Sequence, residues 1–142
     1  MNIGNYFIVL QINKVKNKMK PFFILLIALV SLSFTLKDIT DDIAGYLKTS
    51  NSKALTEIFS DKVSIKILDT EDLLSKAQAQ TMIDDFFTKN KVKNYTTAHS
   101  SLANGGHQFL TGTLETSNGK FRVSILVRGN VISQFRIEND NG

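Results

Sequence analysis

The 142-residue chain contains no cysteine and no tryptophan, and its one proline is Pro21. The lack of cysteine excludes a disulfide scaffold, a thiolate zinc or iron–sulfur site, a Cys nucleophile and a bacterial lipid anchor on an N-terminal Cys. Histidine is almost as scarce. His99 and His107 stand alone, with no partner His or acid at ligand spacing, so neither a metal site nor a cofactor is expected. Acidic residues are missing from positions 1–36, where Lys14, Lys16, Lys18 and Lys20 carry the entire formal charge of +4. From residue 37 onward, thirteen basic residues balance thirteen acidic ones. A neutral domain without a basic, aromatic-interleaved stripe argues against nucleic acid as partner.

Behind the four lysines stands the apolar run Phe22 to Val30, followed by Ser31, Ser33 and Thr35. A basic stretch, a short apolar core and a small-residue exit spell a secretory signal peptide, with cleavage expected near residue 33. A membrane-spanning helix needs about 20 apolar residues, more than this segment supplies. The expected product is an exported protein, periplasmic or extracellular, with no membrane attachment after cleavage. Residues 1–36 are thus read as an N-terminal extension plus signal peptide, with translation expected to begin at Met19. Residues 37–142 are read as a single domain.

Within that domain, Ile39, Ile43, Tyr46 and Leu47 form an apolar stripe with Asp41 and Asp42 at its start and Lys48 at its end, which predicts a helix. Leu55, Ile58 and Phe59 predict a second, shorter helix. Val63, Ile65 and Ile67 alternate with polar residues and predict a strand. Ser75 and Gln78 form a capping box, with Leu74 stapling onto Ala79, for a third helix whose stripe is Ala79, Met82, Ile83, Phe86 and Phe87. Asp84 and Asp85 fall on the opposite side, facing water, so this acid pair is not read as catalytic.

From Val92 the period changes to two, broken by Asn104-Gly105, Asn118-Gly119 and Gly129-Asn130. The pattern predicts a four-strand antiparallel meander over 92–102, 107–116, 120–128 and 131–138. With Asn118-Gly119 as the turn, Leu114 faces Val123, Gly112 faces Ile125 and Leu110 faces Val127. The other face pairs Glu115 with Arg122, whose alternative role is to bind an anion. His99 is placed on the strand face with Tyr95 and Thr97. In the last hairpin, a two-residue loop would turn Phe135 and Ile137 outward. That leaves three arrangements open: a longer loop, a bulge, or an apolar outer patch marking a homodimer surface.

Two helices, a strand, a helix and a meander make an α+β domain (α-α-β-α-β-β-β-β) with helices on a curved antiparallel sheet. The stretch Ser75 to Ala79 leading into Asp85-Phe86-Phe87, then His99, Gly112-Thr113-Leu114 and Gly119 to Val123, resembles the nuclear-transport-factor-2-like superfamily, the cystatin-like α+β roll. More narrowly, it resembles a family of short secreted Bacteroidetes proteins of unknown function. That resemblance implies an apolar cone lined by Ile43, Tyr46, Phe59, Ile83, Phe86 and Phe87, with His99 and Arg122 as polar candidates. It also implies an alternative activity. Ketosteroid isomerases of this superfamily use a helix Tyr and a strand Asp, the positions matched here by Tyr46 and Asp69, although the further inward acid is missing from the meander. The expected function is a non-catalytic domain binding a small apolar ligand or a protein partner. The alternative is a proton-transfer enzyme acting on a small apolar substrate.

Overall fold

The computed structural model describes residues 38–140. The signal peptide, its cleavage site and the Met19 start all lie outside the described residues. Helix α1 (Ile39–Lys48) begins at Asp38, whose carboxylate accepts from the Thr40 amide, and buries Ile43 and Leu47. Helix α2 (Ser52–Glu57) is capped by Asn51 and buries Leu55. Strands β1 (Phe59–Ile67) and β2 (Thr70–Ser75) form a hairpin that leads into helix α3 (Lys76–Lys89). The meander follows as β3 (Val92–Ala103), β4 (His107–Thr116), β5 (Gly119–Arg128) and β6 (Val131–Asn139).

The capping box forms as expected: the Gln78 amide donates to the Ser75 hydroxyl, and the Gln78 side chain accepts from the Ser75 amide. Ala79, Ile83, Phe86 and Phe87 are buried, while Met82 packs at the margin of the core. Asp84 and Asp85 are exposed. Asp84 nevertheless has a structural use, because the Ser52 hydroxyl donates to it and ties α2 to α3.

The strands make one six-stranded sheet in the order β2-β1-β6-β5-β4-β3. All neighbours are antiparallel except β1 and β6, which run parallel, so the sheet is mixed. One face carries the helices and the core. From the strands come Val63, Ile65, Leu110, Leu114, Val123, Ile125, Phe135 and Ile137, all buried. Full burial of such side chains stabilises by about 1.5–3 kcal/mol each.

Several details differ from the expected pattern. Phe59, expected on the second helix, opens β1 instead, because α2 ends at its C-cap Ile58. β2 is an additional strand, discussed below. The β4–β5 turn is centred on Ser117-Asn118, not Asn118-Gly119, so Leu114 faces Phe121, Gly112 faces Val123, Leu110 faces Ile125 and Glu115 faces Lys120. The Thr116 hydroxyl closes this turn by accepting from the Asn118 amide and donating to the Gly119 carbonyl, and Gly119 supplies the required φ of 130°. The shift is an even number of residues, so every side chain keeps its expected face. The ion pair expected for Arg122 is made by Lys120 instead, 3.2 Å from Glu115. In the last hairpin, the register shifts between Leu126 and Val127, a bulge at Ser133 that returns Phe135 and Ile137 to the core.

Candidate functional site

The corner between β1 and β2 sets the candidate site. After Ile67 the chain reverses through Leu68 and Asp69, and Leu68 takes a φ of 55°. The left-handed region is costly for a branched side chain and persists only where the surroundings impose it. Here the Leu68 amide donates to the Ile137 carbonyl at 2.8 Å, which ties the turn to the end of β6. The turn therefore overhangs the C-terminal half of α3.

Between them lies a groove of about 430 Å³. Ile67, Leu68, Met82 and Phe86 give it an apolar lining, and Asp69, Asp85, Lys89 and Asn90 add polar atoms. Asp85 is engaged by Lys89 at 2.7 Å. Asp69 makes no ion pair or hydrogen bond among the described residues, so its carboxylate is the uncommitted charge of the groove. The far wall is rigid, because Asn90 donates to the Phe86 carbonyl at 3.0 Å and accepts from Asn118 at 3.0 Å. Around the corner, Lys66, Leu68, Asp69, Arg122 and Glu138 line a smaller polar pocket of about 180 Å³. Its Lys66 is bonded to Glu138 at 2.7 Å. That hydrogen bond holds the Glu138 carboxyl below its ordinary range against the opposing effect of burial, with the charges of Lys66, Arg136 and Arg122 adding to it.

The structure disperses the residues expected to act together. Asp69 does not continue the inward set Val63, Ile65, Ile67, because the strand ends first; it is exposed in the turn. Tyr46 is half-buried on α1 and does not line the groove that Asp69 lines. Of the expected cone, Ile43, Phe59 and Ile83 are at most 1% exposed and hence border no water-sized space. Phe59 packs on Phe135 at 5.7 Å between ring centres, and Phe86 on Phe121 at 5.2 Å. Phe86 alone of that set reaches the groove. Phe87 is buried beside it, with ring centres 6.1 Å apart.

His99 and Arg122 are likewise apart. The register of β3 slips between Thr97 and His99, so His99 lies opposite Thr111 on the outer face and not with Tyr95 and Thr97. Arg122 is exposed on β5, opposite Thr113 and Glu138. The groove itself escaped sequence reasoning, although Leu68-Asp69-Thr70 between two strand-forming stretches was its available signal. Among the described residues no group of three or more His, Asp or Glu is placed to hold a metal ion. None of the described helices is long and apolar enough to cross a membrane.

A mixed sheet covered on one face by three helices, with a groove at one corner, defines an α+β roll of the nuclear-transport-factor-2-like class. Within that class the chain belongs to the domain-of-unknown-function family DUF4783, which matches residues 40–139. A DUF4783 protein from Bacteroides ovatus is 31% identical, with 70% of this chain and 94% of that one covered and a TM-score of 0.65. A second, from Bacteroides uniformis, is 30% identical over 70% and 95% of the two chains, with a TM-score of 0.64. A ketosteroid isomerase-like protein from Catenulispora acidiphila, solved in complex with trimethylamine, is 14% identical over 75% and 88%, with a TM-score of 0.59, a likeness of fold alone. No curated protein matches the chain.

Proposed function

We propose that this protein is an exported, non-catalytic binding domain whose ligand is a small, largely apolar molecule seated over Ile67, Met82 and Phe86. The observation that carries this reading is the groove itself: about 430 Å³ of space that Ile67, Leu68, Met82 and Phe86 line together with polar side chains, bounded by a turn in a costly backbone conformation. Export rests on the order of lysines, apolar run and small residues in positions 14–35.

The proton-transfer alternative has one observation in its favour, the uncommitted Asp69 carboxylate at an apolar groove. Against it stands the placement of Tyr46 outside the groove lining, which removes the hydroxyl expected to steady an enolate oxygen. Native mass spectrometry of protein purified from its host tests the binding reading. A bound small molecule that is lost on Met82→Lys supports it; protein that carries nothing, or cargo retained by Met82→Lys, counts against it. N-terminal sequencing of the same sample checks export, with a first residue near position 34 expected. An enolisable ketone converted by the wild type but not by Asp69→Asn would favour the enzyme.

A further inference from the structure

The two edges of the sheet are built differently. The β2 edge is six residues long and carries Glu71 and Asp72, with Glu71 engaged by Arg136. A short, charged edge resists pairing with other strands. β3, on the opposite edge, is twelve residues long. From Asn94 to Ala103 it contains no Lys, Arg, Asp, Glu or Pro, and most of these residues are exposed. An edge of that length and neutrality presents a row of backbone donors and acceptors ready to receive a strand.

We propose that β3 is a homotypic docking edge, to which a second copy of this chain adds its own β3, antiparallel, about a two-fold axis. Charge and length select this occupant. The β2 edge of another copy is half as long and would bring Glu71 and Asp72 against a stretch with no cation to meet them. Such head-to-tail pairing would also propagate instead of closing. A second β3 is equal in length and equally neutral, and the antiparallel arrangement keeps the two Lys93 side chains at opposite ends.

The faces of the strand give the register. Tyr95 and Thr97 lie on the helix-covered side, opposite Leu114 and Gly112, whereas His99 and Ser101 lie on the other. The ladder to β4 is also irregular between Val92 and Asn94, which leaves Lys93 out of it. A face-matched two-fold register places Thr96 opposite His99 of the second copy, Tyr95 opposite its Ser100 and Asn94 opposite its Ser101. With Lys93 again left out, Val92 meets Leu102 of the second copy. Leu102 is 83% exposed in the single chain, and this register gives it an apolar neighbour at both ends of the interface. The irregularity at Ala98 falls beside the axis, where it meets its own copy and not a straight strand.

Sedimentation velocity on protein purified from its host tests the proposal over a range of micromolar concentrations. The wild type is expected to be a dimer. Thr96→Lys with His99→Lys sets like charges opposite one another and should give a monomer with an unchanged far-ultraviolet circular dichroism spectrum. Thr96→Glu with His99→Lys should restore the dimer through opposite charges. If the double-lysine variant loses its fold, the single exposed substitution His99→Lys is judged against the same expectation. A wild type that stays monomeric throughout, a folded double-lysine variant that still dimerises, or a dimer dispersed only by Phe109→Lys on the outer sheet face would each overturn it.

Discussion

Gly112 sits where β4 has no room for a side chain. A Cβ there would lie 2.4 Å from the Tyr95 hydroxyl and 2.6 Å from the Thr96 carbonyl, because the Tyr95 ring lies across the glycine on the covered face. Tyr95 is 2% exposed, so its ring has no open space to swing into, and the same burial pushes its phenol above the usual range, partly offset by a hydrogen bond with Thr97. Gly112→Ala is expected to destabilise by about 1–3 kcal/mol, the usual cost of forcing extra volume into a packed core, read from urea unfolding. Glu138 gives a second residue-level expectation. Its carboxyl is held below the ordinary value of 4.5, chiefly by the Lys66 hydrogen bond. A depressed carboxylate adds stability that is fully present above the unfolded value and is lost as pH falls through the folded one. The stability difference between wild type and Lys66→Met should therefore be constant near neutrality, shrink below pH 4.5 and vanish once Glu138 is protonated in the folded chain. A difference that persists undiminished in acid would show that Lys66 acts through packing.

Among the elements, α3 is fixed at both ends by side chains. Ser75 closes its start, and Ser75→Ala should cost about 1 kcal/mol. At its end Asn118, from the distant β4–β5 turn, donates to the Lys89 carbonyl at 2.8 Å and to Asn90 at 3.0 Å. Asn118→Ala removes both bonds and leaves the side-chain oxygen of the buried Asn90 unmet, with an expected loss of about 1–3 kcal/mol and faster amide exchange through Phe86 to Asn90. The same contact explains what local pattern could and could not disclose. Helix stripes, the capping box and the four meander strands are statements about neighbours in sequence, and they were legible. The turn centred on Ser117-Asn118 is selected by bonds to α3 and to Lys91, so the local preference of Asn-Gly for a turn centre was overridden. β2 was hidden for a related reason: Glu71, Asp72 and Leu73 are all exposed on an edge, without the alternation a half-buried strand shows, and its turn uses Leu68 where glycine or asparagine would have signalled one. The groove inherits that obscurity, since this turn forms one wall.

For the molecule as a whole, the parallel contact of β1 with β6 joins the first of the described strands to the last. Phe59 lies opposite Ile132 and Ile67 opposite Ile137, and the Ser60 hydroxyl reaches the Ile132 carbonyl across 72 residues of sequence. Long-range pairing of this kind carries a large loop-closure cost before any reward, so refolding is expected in the slow, millisecond-to-second range typical of non-local β topologies. Stopped-flow fluorescence through Tyr46 and Tyr95 would measure it. Synthesis feels the same constraint as a matter of timing. β1 leaves the ribosome long before β6 exists, and until then its inner neighbour is missing, with Phe59, Ile65 and Ile67 lacking the side chains they pack beside. On stalled ribosomes, resistance to protease should therefore arise in one step when β6 has emerged, and not gradually as the helices and earlier strands appear.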